Sequence, residues 1–407
     1  MSAPHVYALA LAVLSVAYGL VLLGFVRGLR KLRHNRVRRF ADWPSVSVIL
    51  PARNESEVLQ RTLLSLLEQD YPGTWEIVVV DDRSTDGTAE ILKELSAASE
   101  RLRFITVTEK NPPSPKKNAL ALGIRESHGE IIVTTDADCV YDPAWLRCMV
   151  SHMTPEVGVV AGLTVFDLPV EDVPAWQKIQ WLDFAAQQFL AAGAAGAGVP
   201  SSCNGSNLAY RRTVYREISG FGHSADVVSG DDVLFAQRVS KRTTWKVVFS
   251  TAPQSIVRSL PAYTIRDVFY QRIRWASKGL SYRRSMSVFL FGMYSYYALC
   301  AAAPLTALAA PALLPALLAV AVWKTACDYL TLSAGCRIFG QRALLRYFLP
   351  FDVLHLMLTP VFGIAGLFVP YRWKGEWYRT ATLPRGWKRS LVRVRRLVRP
   401  RRAAETA

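Results

Sequence analysis

An apolar run opens the chain at residues 5–26, with no Lys, Arg, Asp or Glu in its 22 positions. As a helix it is about 33 Å long, enough to cross a bilayer core. No basic segment precedes it and no small-x-small cleavage site follows, so it reads as a span and not as a removable leader. From Ser45 the pattern changes. Short β-branched runs at 46–50, 76–80, 104–107 and 130–135 alternate with amphipathic segments at 58–69 and 89–95. That order predicts an α/β domain with an open, mostly parallel, Rossmann-like sheet, whose ligands bind at the carboxyl ends of the strands. Further on, 176–184 has the spacing of a helix with an aromatic face, either packed in a core or lying at a membrane interface. The Ala/Gly run at 191–198 buries little apolar area and is expected to be a mobile loop near the site. Residues 288–323 are long enough for two spans, broken by Pro304, Pro311 and Pro315, and 347–369 offers another, broken by Pro360.

Composition supports this mixture. Hydrophobic residues make up 51% of the chain and charged ones 20%, with a mean hydropathy of +0.16. The net charge of +17 resides in two segments, +7 over residues 27–39 and +10 over 371–407. Binding nucleic acid usually demands a basic face on the folded domain itself, so this distribution argues against nucleic acid as a partner. It suits segments lying against anionic headgroups. The positive-inside rule places the N-terminus outside and the following domain in the cytoplasm. Two C-terminal spans and then one more would put the +10 tail outside, against the same rule. Either 323–340 adds a crossing, or one apolar stretch is re-entrant. The expected organisation is a span at 1–27, a basic juxtamembrane segment at 28–45, an α/β domain with interface helices at 46–275, membrane helices at 276–370 and a basic tail at 371–407. Within the tail, Trp387, Leu391, Val394 and Val398 recur at helical spacing, predicting an amphipathic surface helix at 385–399. The six cysteines lack metal-ligand spacing and read as small buried residues.

Four polar clusters carry chemistry: Asp81-Asp82, Asp136-Ala137-Asp138, Gly230-Asp231-Asp232, and Gln271 to Trp275. The first two fall at predicted strand ends. Asp-x-Asp at such an end can hold Mg²⁺ or Mn²⁺, which prefer oxygen ligands and often use one or two carboxylates plus phosphate oxygens. The ion would stabilise charge on a departing diphosphate. A hydroxyl nucleophile also needs a carboxylate to accept its proton, and Asp231 and Asp232 are the candidates. Capping the helix predicted at 233–239 is their other role, and one can cap while the other faces the site.

In order and spacing, Pro51-Ala-Arg-Asn-Glu55, Val80 to Thr88, Asp136-Ala-Asp138, Gly230-Asp-Asp232 and Gln271-Arg-Ile-Arg-Trp275 resemble the motif series of family 2 glycosyltransferases with a GT-A domain. The last motif is similar to the Q-x-x-R-W pattern of the membrane-embedded branch, which includes cellulose, chitin and hyaluronan synthases and ceramide glucosyltransferase. The resemblance covers residues 46–275. It implies that Glu55, Asp82 and Lys116 contact the nucleotide, that Asp136 and Asp138 hold nucleotide and metal, and that Asp232 is the general base. Arg274 would pair with the diphosphate. Trp275, Gln271, Asn204 and Asp231 would face the acceptor, although many relatives carry Glu where this chain has Asp231. The implied reaction is an inverting, metal-dependent transfer from a nucleotide sugar, UDP-linked by resemblance, to a lipid acceptor. A processive polysaccharide synthase with a glycan acceptor is the alternative, and a non-catalytic membrane scaffold is a third. The expected location is a bacterial cell membrane, with the catalytic domain cytoplasmic.

Overall fold

The computed structural model describes residues 2–33, 37–109, 112–168, 173–225, 227–282 and 284–379. The amphipathic helix expected at 385–399 lies outside them. The strands are β1 (Val46–Ala52), β2 (Trp75–Asp81), β3 (Leu102–Thr106), β4 (Ile131–Thr134), β5 (Cys139–Val140) and β6 (Val157–Ala161). They continue with β7 (Thr164–Phe166), β8 (Leu208–Arg211), β9 (Lys246–Phe249), β10 (Val257–Ser259), β11 (Tyr371–Trp373) and β12 (Glu376–Tyr378). The helices are α1 (Ala3–Leu32), α2 (Leu59–Leu67), α3 (Thr88–Ala98), α4 (Pro115–Glu126), α5 (Trp145–Ser151) and α6 (Ala175–Gly196). They are followed by α7 (Arg212–Glu217), α8 (Val233–Arg242), α9 (Ile265–Ala276), α10 (Arg284–Ala309), α11 (Leu314–Ile338) and α12 (Phe348–Phe368).

The main sheet has the order β3-β2-β1-β4-β8-β6-β9. β3, β2, β1 and β4 run parallel, while β8 is antiparallel to both β4 and β6. Central strands read as continuous apolar runs because helices cover both faces of a parallel sheet. Thus all but one residue of β1 and of β2 is buried. The register that pairs Ala52 with Asp81 brings the ends of β1 and β2 level. Loops leaving those ends therefore open into one place. A smaller sheet, β5-β10-β7, sits beside it, and β11 and β12 form a hairpin.

Four helices are long and apolar enough to cross a bilayer: Ala3–Leu32, Arg284–Ala309, Pro311–Ile338 and Arg342–Phe368. The third runs through the 323–340 stretch, so that segment completes a helix begun before Trp323 and adds no separate crossing. α12 differs from the others. Its first turn places Phe348 and Phe351 in the same buried cluster as Phe249 of β9. Its last turn brings Gly366 against Ala276 of α9. Both of its ends thus lie against the α/β domain.

The Ala/Gly run is no loop: residues 191–196 continue α6 without a break. Its small side chains let α6 and α1 touch backbone to backbone. A Cβ on Gly28 would lie 2.0 Å from the Gly193 carbonyl oxygen, and one on Gly196 would lie 2.1 Å from that of Gly28. Small residues at such a crossing gain van der Waals contact that larger ones prevent. Gly28→Ala is therefore expected to destabilise the protein by about 1–3 kcal/mol through overpacking. A lower midpoint of thermal unfolding in detergent checks this; an unchanged midpoint would mean that the two backbones do not meet there.

Candidate active site

The loops that follow β1, β2 and β4 bring carboxylates to one cavity. Just past β1 and β2, Asn54 and Arg83 take left-handed backbone, at φ 52° and 60°, which turns the chain sharply at both strand ends. Asp81 shapes its loop by accepting from the Ser84 amide at 3.0 Å. Asp82 faces the cavity and accepts from Arg83 Nε at 2.8 Å, with Arg53 at 3.8 Å. Beyond β4, Asp136 accepts from Lys116 Nζ at 2.6 Å, and the same ammonium lies 3.3 Å from Asp231. Asp138 accepts from the Ser259 hydroxyl at 3.0 Å and from the Cys139 thiol at 3.5 Å.

Each environment shifts the proton affinity of the groups within it. Burial, and then the neighbouring Asp136 charge, push Asp138 above the usual carboxylate range. Burial would raise Asp231 as well, but Lys116, Lys117 and Lys278 outweigh it and hold Asp231 below that range. Glu55 is raised by burial, with Lys374 opposing. Lys116 is held above the usual lysine range because Asp136 and Asp231 outweigh its burial.

Asp232 takes both roles that the sequence offered its pair. It is the N-cap of α8, where Oδ1 accepts from the Val233 amide at 2.6 Å. Its Oδ2 accepts from the Gly205 amide at 3.0 Å, and the residue lines the cavity. Two backbone donors from different segments fix the carboxylate's orientation. Asn204 lines the same cavity and steadies its own loop by accepting from the Ser206 amide at 3.3 Å.

α9 and the two residues that follow it supply the remaining wall. Gln271, Arg274, Trp275 and Lys278 all reach the cavity, at the i, i+3, i+4, i+7 spacing of one helix face. Arg272 lies on another face, 8% exposed, where it pairs with Asp183 of α6 and covers the Trp275 ring at 4.6 Å. Asp183 is in turn 3.3 Å from His355 Nδ1 on α12. Trp275, Phe184 and Phe166 form a stacked series, with centroids 5.8 and 5.1 Å apart.

Every residue singled out by the sequence (Glu55, Asp82, Lys116, Asp136, Asp138, Asn204, Asp231, Asp232, Gln271, Arg274 and Trp275) lines this one cavity. Sequence reasoning missed a second set. Residues 371–378 were assigned to a basic tail, yet they form the β11–β12 hairpin, which closes one side of the cavity. Lys374 pairs with Glu55, Arg53 bonds Glu376 at 2.9 Å, and Trp373 lies 5.1 Å from the Arg274 guanidinium. The only sequence signal was the close spacing of Tyr371, Trp373, Trp377 and Tyr378 around Lys374-Gly375, a hairpin pattern that its basic surroundings concealed.

A divalent cation fits these residues. Asp138 has no Lys or Arg ion-paired to it among the described residues, and its raised proton affinity reports an uncompensated buried charge. No group of three or more His, Cys, Asp or Glu side chains is placed to hold a metal there among the described residues. Asp136 and Asp138 would be the protein's share of such an ion, with phosphate and water oxygens completing it.

A mostly parallel sheet with paired carboxylates at its strand ends, facing a cleft closed by an aromatic helix, defines a GT-A-like nucleotide-sugar transferase domain. Residues 47–219 match the family model "Glycosyl transferase family 2", and the chain carries a domain of that family. The chain is 29% identical over 199 residues to glycosyltransferase AglE of Haloferax volcanii, covering 48% of this chain and 62% of that protein. It is 26% identical over 248 residues to the poly-beta-1,6-N-acetyl-D-glucosamine synthase of Staphylococcus epidermidis, covering 58% and 54%. With the beta-monoglucosyldiacylglycerol synthase of Nostoc it shares 25% identity over 269 residues, covering 65% and 55%. The chain thus spans less than two thirds of the length of each. Among solved structures, a mannosyltransferase from Pyrobaculum calidifontis, in complex with GDP-Man and Mn²⁺, superposes with a TM-score of 0.53 at 21% identity, covering 89% of this chain and 97% of that one. That likeness establishes the fold.

Lys374→Met removes the cation beside a mostly buried carboxylate. Glu55 should then take up its proton at a still higher pH, because burial acts on it unopposed by Lys374. Amides of the 371–378 hairpin should exchange about two- to five-fold faster at pH 7, the range expected for a partly exposed ion pair. Unchanged exchange would show that the hairpin is held without this pair.

Proposed function

We propose that the chain transfers a single sugar from a nucleotide sugar to a lipid acceptor at a membrane surface, with inversion at the anomeric carbon. What carries the reading is the convergence of all eleven sequence-derived residues on one cavity whose wall, α9, packs directly on the membrane helix α12. In this reading Glu55 and Asp82 bind the nucleoside, Lys116 and Arg274 bind the diphosphate, and Asp136 and Asp138 hold nucleotide and a Mg²⁺ or Mn²⁺ ion. The bound ion supplies charge stabilisation to the leaving diphosphate. Asp232 takes the proton of the acceptor hydroxyl, and its two amide contacts keep it aimed. Trp275, Gln271, Asn204 and Asp231 orient the acceptor, with the Trp275 and Phe184 rings as a flat apolar face for it. With one base and no second carboxylate acting as nucleophile, an α-linked donor yields a β-linked product.

Lipid is favoured over polymer by the membrane part. Extrusion needs a polar channel, whereas the buried charges of these helices neutralise one another. Lys324 lies 2.6 Å from Asp352 and 3.0 Å from Asp328, and Tyr18 donates to Asp328. In the proposed topology α1, α10 and α11 cross, and α12 is the re-entrant stretch, both ends on the domain side. Both basic segments then share the cytoplasmic side, in agreement with the positive-inside rule. The relatives reported above include a glycolipid synthase and a polymer synthase by name, so product length decides.

The test is a nucleotide-sugar panel on detergent-purified protein with Mg²⁺ or Mn²⁺ and membrane lipid extract. One glycolipid of fixed size is expected, and a ladder lengthening with time would overturn the lipid reading. Asp232→Asn should lower kcat about 10²- to 10⁴-fold, the usual worth of a general base, while nucleotide binding by calorimetry persists. Transfer unchanged in that variant would remove Asp232 from the role.

A further inference from the structure

Two adjacent lysines open α4 and point in different directions, since successive helical residues are turned by about 100°. Lys116 faces the cavity, while Lys117 is 2% exposed and runs beneath the loop that leads to Asp232. Its Nζ donates to the carbonyls of Ser224, Val227 and Ser229 at 2.7, 2.8 and 3.1 Å. An ammonium has three N–H donors, and this one spends all three on a single loop. Burying a lysine is costly, and an apolar side chain would fill the space at less cost. Three carbonyls converging on one ammonium therefore indicate a tether.

We propose that Lys117 is a positioning residue that holds Ser224, Val227 and Ser229, and through them the Asp232 carboxylate, in place for proton transfer. The loop needs such a tether. Ser224 closes a short 3-10 turn, residues 227–229 have no regular structure, and Gly230 takes left-handed backbone at φ 83°, immediately before Asp231 and Asp232. One turn of α4 then links the two halves of the site: Lys116 grips Asp136 on the donor side, and Lys117 grips the loop of the base. The charged groups facing Lys117 are Asp231 and Asp232 at the end of its loop, Arg238 on α8 and Lys278 beyond α9. Burial lowers its pKa to about 8, with the two aspartates opposing and Lys278 and Arg238 adding to the fall. As pH rises through about 8 the ammonium becomes an amine with two donors, and one of the three carbonyls loses its partner.

This inference rests on the proposed role of Asp232, and the experiment separates the two. Lys117→Met should lower kcat about 100-fold, within the range of a displaced general base, with the nucleotide-sugar KM within about three-fold of wild type. Hydrogen exchange of the 224–232 amides should quicken at least about ten-fold in the variant, while that of 131–138 stays unchanged. In the wild type, kcat should fall through an alkaline limb near pH 8. Lys117→Arg, whose guanidinium keeps its proton, should move that limb beyond about pH 9. A Lys117→Met kcat within three-fold of wild type, a loss appearing in KM alone, or an alkaline limb unmoved in Lys117→Arg would each overturn the tether. If Lys117→Met does not fold, the pH profiles of wild type and Lys117→Arg decide. If the wild type consumes no nucleotide sugar, the proposed function fails. Exchange of the 224–232 amides in wild type across pH 8, corrected for intrinsic exchange, then still tests the tether.

Discussion

Six carboxylates (Glu55, Asp82, Asp136, Asp138, Asp231 and Asp232) share one cavity, and their mutual repulsion is the constraint around which the site is built. Like charges gathered at low exposure stay ionised only when each finds a cation or several hydrogen-bond donors. The compensation comes from far apart in the chain. Lys374 of the hairpin serves Glu55, Arg53 and Arg83 serve Asp82, and Lys116 serves both Asp136 and Asp231. Asp232 relies on two backbone amides, and Asp138 on a hydroxyl and a thiol. Neither is ion-paired to a Lys or Arg among the described residues. The fold reads as an arrangement that tolerates this charge density.

The same site is joined to the long apolar helices by packing and by a line of buried polar groups. α6 presses its glycines on α1, stacks Phe189 on Phe339 and offers Asp183 to both Arg272 and His355. Arg272 belongs to the motif that lines the cavity but faces away from it, so the motif has two functions. Gln271, Arg274 and Trp275 form the wall, and Arg272 fastens that wall to α6 and α12. A rigid join of this kind would suit the proposed reaction, in which one substrate is dissolved in water and the other is anchored in lipid. Small residues at the α1–α6 crossing and paired charges on α11 and α12 leave little freedom between the two parts.

Much of this was legible in the residue pattern. The strands at 46–52, 75–81 and 131–134 follow from β-branched runs, and the carboxylates at their ends follow from where those runs stop. Gln271, Arg274 and Trp275 share a face because helical periodicity requires it. Three features were not legible. The Ala/Gly run looked like a loop because small residues contribute little burial alone; its helix is stabilised by the close approach of α1, a contact 165 residues away in the chain for Gly28 and Gly193. The hairpin at 371–378 was hidden in basic sequence because its partners, Glu55 and Arg53, lie more than 300 residues earlier. The direction of α12 was undecided because length and hydropathy are equal for a crossing helix and one lying against the domain.

Local physics explains the division. Periodicity, strand-end placement and motif spacing act over a few residues, so the sequence by itself determined the domain class, the carboxylates at the strand ends and the apolar helices. Charge compensation acts through space. Which cation meets which carboxylate, which lysine of the pair Lys116–Lys117 faces the cavity, and which side of α9 faces the membrane helices were decided only by tertiary structure. Those choices depend on where distant segments are brought together once the sheet has set the position of its strand ends.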